Sequence, residues 1–462
     1  MRGIMSKTTS IGVRFALLCA SLLSCSAQGQ DELGAMVDNA LSPLVARHDV
    51  SGAVLIAHGD HTKMFRAYGL ANREWQIPVS RDTRFLIGSI SKSFTSAAIL
   101  RLHDRGKLSL DQSIMAWFPA FPSAEKITVR LLLEHRAGLS RDLPNIEKTR
   151  VQELTTAETV ALIQSVPLLA DPGTKTQYSN NGYRVLARII ELVSGMDYPD
   201  FVESEVIAAA GMTQSGVLRP QTGVPKLAVG YCPFPGVDQL GPAPSVSVRS
   251  SWGPGAVFST VDDLAKWSKA LRGNAFLSEA SRRAMLTANA DGRSLGLGVT
   301  SLYGRLKAGH DGVYYGFNAS FDIFLDDGLT IVYLGNIETG ALSQVRSALL
   351  AIATGNPLDP PKPRLPRTGN LTIHPQEYAG DYEVFPGFNL TVRSRRDALL
   401  LGAGEGDFLL EPVARDTFEY RLKYAAVVFQ RDGQGRVTGL TWREGEQAFN
   451  CRRIGEGSSP KK

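Results

Sequence analysis

Between Gly355 and Pro366 the chain carries five prolines in twelve residues, and that stretch divides everything else. Proline lacks the backbone donor and holds φ near −65°, so such a run serves neither a helix interior nor a central strand and reads as a semi-rigid linker. Upstream, apolar residues recur every three to four positions in some segments and every second position in others, the mixture of an α+β domain. Downstream, only short alternating strands follow, over 378–382, 388–392, 398–401, 408–412, 417–421, 425–430 and 437–442. The expected organisation is a large α+β unit over residues 31–354, a linker over 355–367 and a small all-β barrel or sandwich over 368–455.

Within the large unit, a helical pattern over 31–48 precedes two strand-like runs, 52–57 and 63–68. His58-Gly59-Asp60-His61 between them is the turn of a hairpin rather than a metal site. Three later stretches carry chemistry. In Phe85-Leu-Ile-Gly-Ser89-Ile-Ser-Lys92 an apolar approach leads into an amphipathic helix through Phe94, Ala97, Ala98, Leu100 and Leu102. Positions i and i+3 of a helix share a face, so the Lys92 amine can lie beside the Ser89 hydroxyl as its base. A serine in the first turn is also surrounded by unpaired N–H groups that favour a developing oxyanion.

The second stretch, Gln177-Tyr178-Ser-Asn180-Asn-Gly-Tyr183, leads into a helix that ends near Gly195. It offers a phenol for proton transfer and an amide that both donates and accepts. The third is Gly309-His310-Asp-Gly312-Val313, the leading strand of a hairpin that returns over 329–334. Gly312 lets that strand approach a ligand closely, and the Val313 N–H joins the Ser89 N–H as the two donors of an oxyanion hole. His135 closes the short apolar helix begun at Thr128 and reads as a C-terminal cap. Between Gly216 and Gly255 the pattern dissolves into proline, glycine and serine, which suggests the rim of a substrate cleft.

Composition narrows the class. With 43% hydrophobic and 21% charged residues the chain is globular, and no basic stripe with interleaved aromatics points to nucleic acid. Arg2, Lys7 and Arg14, then the apolar run 15–24, form an export leader over residues 1–24. Leu22-Leu-Ser-Cys25 resembles a bacterial lipobox, so Cys25 is either a lipid anchor or part of an ordinary small-residue cleavage site. The mature protein is expected to be periplasmic, secreted or anchored as a lipoprotein. Cys232 and Cys451 lack metal-ligand spacing and are either paired or isolated thiols. No cofactor and no metal is expected.

Together, Ser89-x-x-Lys92, Tyr178-x-Asn180 and His310-x-Gly312 resemble the three active-site motifs of the serine β-lactamase and penicillin-binding-protein superfamily, in its class C-like branch. The likeness covers roughly residues 33–354, and the tail is similar to a β-domain often appended to such hydrolases. It implies a helical domain beside an antiparallel sheet flanked by helices, with the site between them. Ser89 would be acylated, Lys92 and Tyr178 would share proton transfer, Asn180 would hold a substrate amide, and Ser89 and Val313 would form the oxyanion hole. Relatives that hydrolyse β-lactams or D-Ala-D-Ala peptides usually carry Lys-Thr-Gly at the third motif, whereas esterase-like and D-aminopeptidase-like relatives carry the His-x-Gly form found here. The resemblance therefore implies an exported serine hydrolase of esters, small amides or D-amino-acid peptides. Alternatives are a β-lactamase, a D-Ala-D-Ala carboxypeptidase or a penicillin sensor that binds without turnover.

Overall fold

A computed structural model describes residues 32–233, 240–359, 365, 371–385, 388–395, 398–402, 407–421, 424–444 and 447–455. The leader with Cys25 and most of the proline-rich linker lie outside the described residues.

Six antiparallel strands form the central sheet, in the spatial order Gly298–Leu302, Arg305–Tyr314, Phe317–Phe324, Leu329–Gly335, Gly52–His58 and His61–Tyr68. The three strands at 52–58, 317–324 and 329–335 are almost wholly buried, which is why they read as continuous apolar runs rather than alternating ones. One face presents Val54, Ile56, Ile331 and Tyr333 to the helix over 32–46 and to the helix Ala341–Thr354. The other presents Ala53, Leu55, Val332 and Leu334 to a larger core that contains Trp267 and Leu271 of the helix Val261–Arg272. The His58–His61 segment is the expected hairpin turn. The strand bearing His310 starts at Arg305, five residues earlier than its motif, because it also pairs with Gly298–Leu302.

The helix Ser91–Asp104 departs from its sequence reading. It is not amphipathic: Ser91, Lys92, Ser93, Thr95 and Ser96 are buried together with its apolar residues. Each polar group meets a partner, which offsets the cost of burial. Ser91 Oγ accepts from Val257 N–H, Ser93 Oγ from Trp267 Nε1–H, and Thr95 Oγ1 donates to Gly253 O at 2.7 Å. This helix is the centre of the helical half, packed against Asn180–Ser194.

Eight strands from Gly380 to Gly455 close into a barrel around Tyr382, Leu399, Leu401, Leu410, Phe418 and Phe429. The first strand is Gly380–Phe385, later than the pattern suggested, because Pro375–Glu377 form a turn of 3-10 helix ahead of it. The closing strand, Gln447–Gly455, has no counterpart in the sequence reading. Most of its residues are exposed, so it carries no apolar alternation, and its hydrogen bonds to both neighbouring strands define it. Cys451 in this strand and Cys232 in the large unit are free thiols, not a disulfide. Among the described residues no helix is long and apolar enough to cross a membrane.

Candidate active site

The site is built where a short strand runs into a tight turn. Phe85–Leu86 pairs with Val257–Ser259, and the chain then turns through a 3-10 segment, Gly88–Ile90, before the buried helix begins. Ser89 therefore stands one turn ahead of the α-helix rather than inside it. Gly88 takes φ +50°, and a Cβ there would lie 2.7 Å from both N and O of Val313. A Cβ on Gly312 would lie 1.9 Å from Ile87 O. Two glycines thus let the His310 strand and the nucleophile turn meet backbone to backbone. Gly312 therefore has a role beyond the one expected of it: its close neighbour here is the chain's own Ile87. The contact brings the Val313 backbone beside the turn that carries Ser89, the arrangement two converging N–H donors need. Gly312→Ala is expected to push the strand away and lower kcat by about a hundredfold, the scale of losing one oxyanion donor. Retention of wild-type kcat in steady-state assays would contradict it.

Ser89 Oγ receives two neighbours. Lys92 Nζ lies 3.0 Å away and Tyr178 OH donates to it at 2.8 Å. Lys92 is 0% exposed and donates to Pro254 O at 3.1 Å. Burial, followed by the Arg184 charge, holds its amine well below the usual lysine range. A neutral Nζ can donate one hydrogen to Pro254 O and keep its lone pair for the Ser89 proton. Burial pushes the Tyr178 phenol up to about 12, against the opposing pull of the Ser89 hydrogen bond and of Arg141 and Arg293. Those two guanidinium groups stand 5.8 and 5.9 Å from its ring centroid.

Asn180 Nδ2 donates to Asp142 Oδ1 at 2.8 Å. A carboxylate only accepts, so Asp142 fixes which end of the amide is the donor and leaves Oδ1 and one N–H for a ligand. Asp142 is in turn paired with Arg184, whose Nη1 also bonds Asn181 Oδ1 and whose Nε bonds Ser250 O. Sequence reasoning missed this bracing set. Asp142 and Arg184 fall in no motif, and only tertiary packing brings Ser140–Asp142 against the Tyr178 turn. His135 does end its helix, at φ +60°, with Arg136 N–H bonding back to Leu131 O. The ring has a further task that the capping assignment did not contain: Nδ1 accepts from Ser179 N–H at 3.1 Å and the ring packs 4.5 Å from that of Tyr178. It orients the phenol.

His310 is half-buried, 6.1 Å from the Tyr178 ring between centroids. Its Nδ1 lies 2.5 Å from the Asp311 carbonyl oxygen, so Nδ1 carries the hydrogen and Nε2 is left as an acceptor. Burial above all pushes its pKa down to about 3, so the ring is neutral at physiological pH. Among the described residues no cluster of three histidine, cysteine or acidic side chains is placed to hold a metal.

A cleft of about 730 Å³ opens over Ser89, Tyr178 and Asn180. Pro233, Pro242, Pro244, Ser250 and Pro254 of the irregular 216–255 segment line it, together with Val313, Tyr314 and Tyr315. Leu409 of the barrel lines it too.

Two family models match the chain: Beta-lactamase over residues 37–354, and a domain of unknown function, DUF3471, over 374–455. Penicillin-binding protein 4* of Bacillus subtilis (strain 168) is 25% identical over 429 residues, covering 87% of this chain and 94% of that one. Esterase EstB of Burkholderia gladioli is 26% identical, covering 62% of this chain and 80% of its own. The crystal structure of SurE with D-Leu superposes with a TM-score of 0.60 at 25% identity, covering 93% of this chain and 100% of that one. With the serine, lysine and tyrosine in contact and a family match over the whole large unit, the chain belongs to the Beta-lactamase family and is a serine hydrolase.

Proposed function

We propose that this is an exported hydrolase of carboxylic esters, small amides or D-amino-acid peptides that works through an acyl-enzyme at Ser89. The observation that carries the substrate preference is His310, a neutral imidazole where a lysine would give a permanent charge for a substrate carboxylate. Its free Nε2 accepts hydrogen bonds and suits an uncharged or amine-bearing substrate better than an anionic one. Likeness to an esterase and to SurE with D-Leu supports the same class.

The proton path follows from the distances. Ser89 Oγ attacks the carbonyl carbon as its proton passes to neutral Lys92 Nζ. The oxyanion forms against the Ser89 and Val313 N–H groups while Asn180 holds the acyl part. The C–O or C–N bond then breaks, the leaving group taking a proton from Tyr178 OH, which is replenished from the Lys92 ammonium. Water reverses the sequence and frees Ser89. The leader over residues 1–24 would direct the chain across a membrane and be removed either just before a lipidated Cys25 or at an ordinary cleavage site formed by Cys25-Ser26-Ala27.

One observation favours a second reading. Arg293 stands beside Tyr178 and, among the described residues, has no carboxylate partner. It is a cation that a D-Ala-D-Ala carboxypeptidase would use for the substrate's terminal carboxylate. Time-resolved intact mass and product assays with p-nitrophenyl esters, D-amino-acid amides, a D-Ala-D-Ala peptide and a cephalosporin separate the readings. Turnover of an ester or D-amide, with a transient adduct mapped to Ser89, is the expected result. Cephalosporin or D-Ala-D-Ala hydrolysis at a rate comparable with the best ester would overturn the preference. A permanent adduct would make the protein a sensor.

A further inference from the structure

We propose that the barrel is a working wall of the active site, and that Leu409 selects substrates whose acyl part carries an apolar group. This rests on the acyl-enzyme reading above for its substrate class but not for its geometry.

Alternation along the barrel strands decides which side chains point inward. Leu399, Leu401, Leu410, Phe418 and Tyr420 fill the interior. Their neighbours Leu400, Leu409, Glu411 and Glu419 must therefore point outward. On a barrel standing alone these would be exposed, yet they are 3%, 9%, 2% and 2% exposed. Something covers this face, and the large unit supplies it. Arg421 Nη2 lies 2.6 Å from Asp49 Oδ1 with both side chains buried, Tyr424 OH donates to Asp49 Oδ2 at 2.5 Å, and Gly340 N–H donates to Arg421 O at 3.1 Å. Glu338, two residues before Gly340, lines the same cleft as Leu409, so docking face and cleft are continuous.

Among the described residues no barrel atom hydrogen-bonds Ser89, whose neighbours are Lys92 and Tyr178. Leu409 therefore meets a part of the substrate away from the reacting carbonyl. The cleft it lines also contains Asn180, which holds the acyl part in that reading, and the apolar Ile146, Pro242 and Val313, so an apolar acyl group bound there would share the cavity with Leu409. A leucine offers no hydrogen bond, only area to be covered, so its contribution grows with the apolar surface the substrate buries.

The test compares p-nitrophenyl acetate with p-nitrophenyl octanoate, and in parallel the rate at which ethyl and octyl fluorophosphonates modify Ser89, read by intact mass, which needs no turnover. In the full chain, Leu409→Asp is expected to lower the octanoate-to-acetate ratio of kcat/KM at least tenfold, through KM, with the same fall in the octyl-to-ethyl ratio. Leu409→Met should keep both ratios, and so should Leu400→Ala on the same covered face but outside the cleft. Unchanged ratios in Leu409→Asp, or an equal fall in Leu400→Ala, would overturn the proposal. If neither ester turns over but the octyl preference exists and Leu409→Asp removes it, the wall stands and the ester reading fails.

Discussion

Lys92→Met is expected to lower the acylation rate by about a thousandfold or more while making the folded protein more stable at neutral pH. The activity loss follows from removing the amine 3.0 Å from Ser89 Oγ, a general base being worth about a hundred- to ten-thousandfold. The stability gain follows from burial. Lys92 is fully enclosed, with its pKa held well below that of a free lysine. Between its folded pKa and about 10.4 the unfolded chain binds a proton that the native state does not. Wild-type stability from this group therefore rises with pH across that window, and the penalty is largest below it. Methionine has similar length and no charge, so the variant escapes the penalty at pH 7 and its advantage shrinks as pH approaches 10. Urea titrations at pH 7 and pH 9.5, beside single-turnover acylation, test both halves. A variant that is less stable at pH 7, or one that still acylates quickly, would refute the assignment of Lys92 as a neutral base. The same logic gives the acid limb of the wild-type pH profile to Lys92, because His310, at about 3, and His135, well below its usual range, are already neutral there.

The second large effect is expected at the junction of the two units. Asp49→Ala should destabilise the full chain by about 3–5 kcal/mol, the cost of stranding one member of a buried ion pair. Arg421 is 3% exposed and Asp49 0%, and the same carboxylate accepts the half-buried Tyr424 hydroxyl, so its loss takes the nearest anion from the buried guanidinium, leaving it the Arg47 and His48 carbonyls and Glu411 Oε1 at 3.9 Å. Against a total stability of about 5–15 kcal/mol such a loss is severe. The barrel should then undock, and limited proteolysis in the linker over 355–367 should accelerate. Asp49→Leu combined with Arg421→Met removes both charges and should recover most of the loss, since replacing a whole buried pair by apolar groups is often neutral. Equilibrium denaturation of the three proteins decides it. A loss below about 1 kcal/mol for Asp49→Ala would place this pair with ordinary surface salt bridges.

Local patterns were legible in the chain because their causes are local. The Ser89 and Lys92 spacing, three residues across one turn, puts the two side chains 3.0 Å apart. The hairpin at 58–61, the helix beginning after Ser179 with Gly195 left-handed at its end, and seven of the eight barrel strands follow from turn chemistry and alternation. Where the reading failed, the deciding contact came from far along the sequence. Five polar residues of the nucleophile helix lie buried because Tyr183, Gly253, Pro254, Val257 and Trp267 supply partners. The eighth barrel strand exists because it closes a ring, not because its residues alternate.

The site shows the same division. The sequence nominated the residue types for the chemistry, in three short motifs whose order and flanks resemble those of one superfamily. Their working state was decided only by the tertiary structure. The lowered pKa values of Lys92 and His310 come from burial, the aim of Asn180 from Asp142, the orientation of Tyr178 from His135, and the fit of Gly312 from Ile87. The reach of Leu409 into the cleft comes from a barrel that begins some 290 residues after Ser89. Charge state and aim are properties of what surrounds a side chain, and for this protein the surroundings are assembled from segments that the linear order keeps apart.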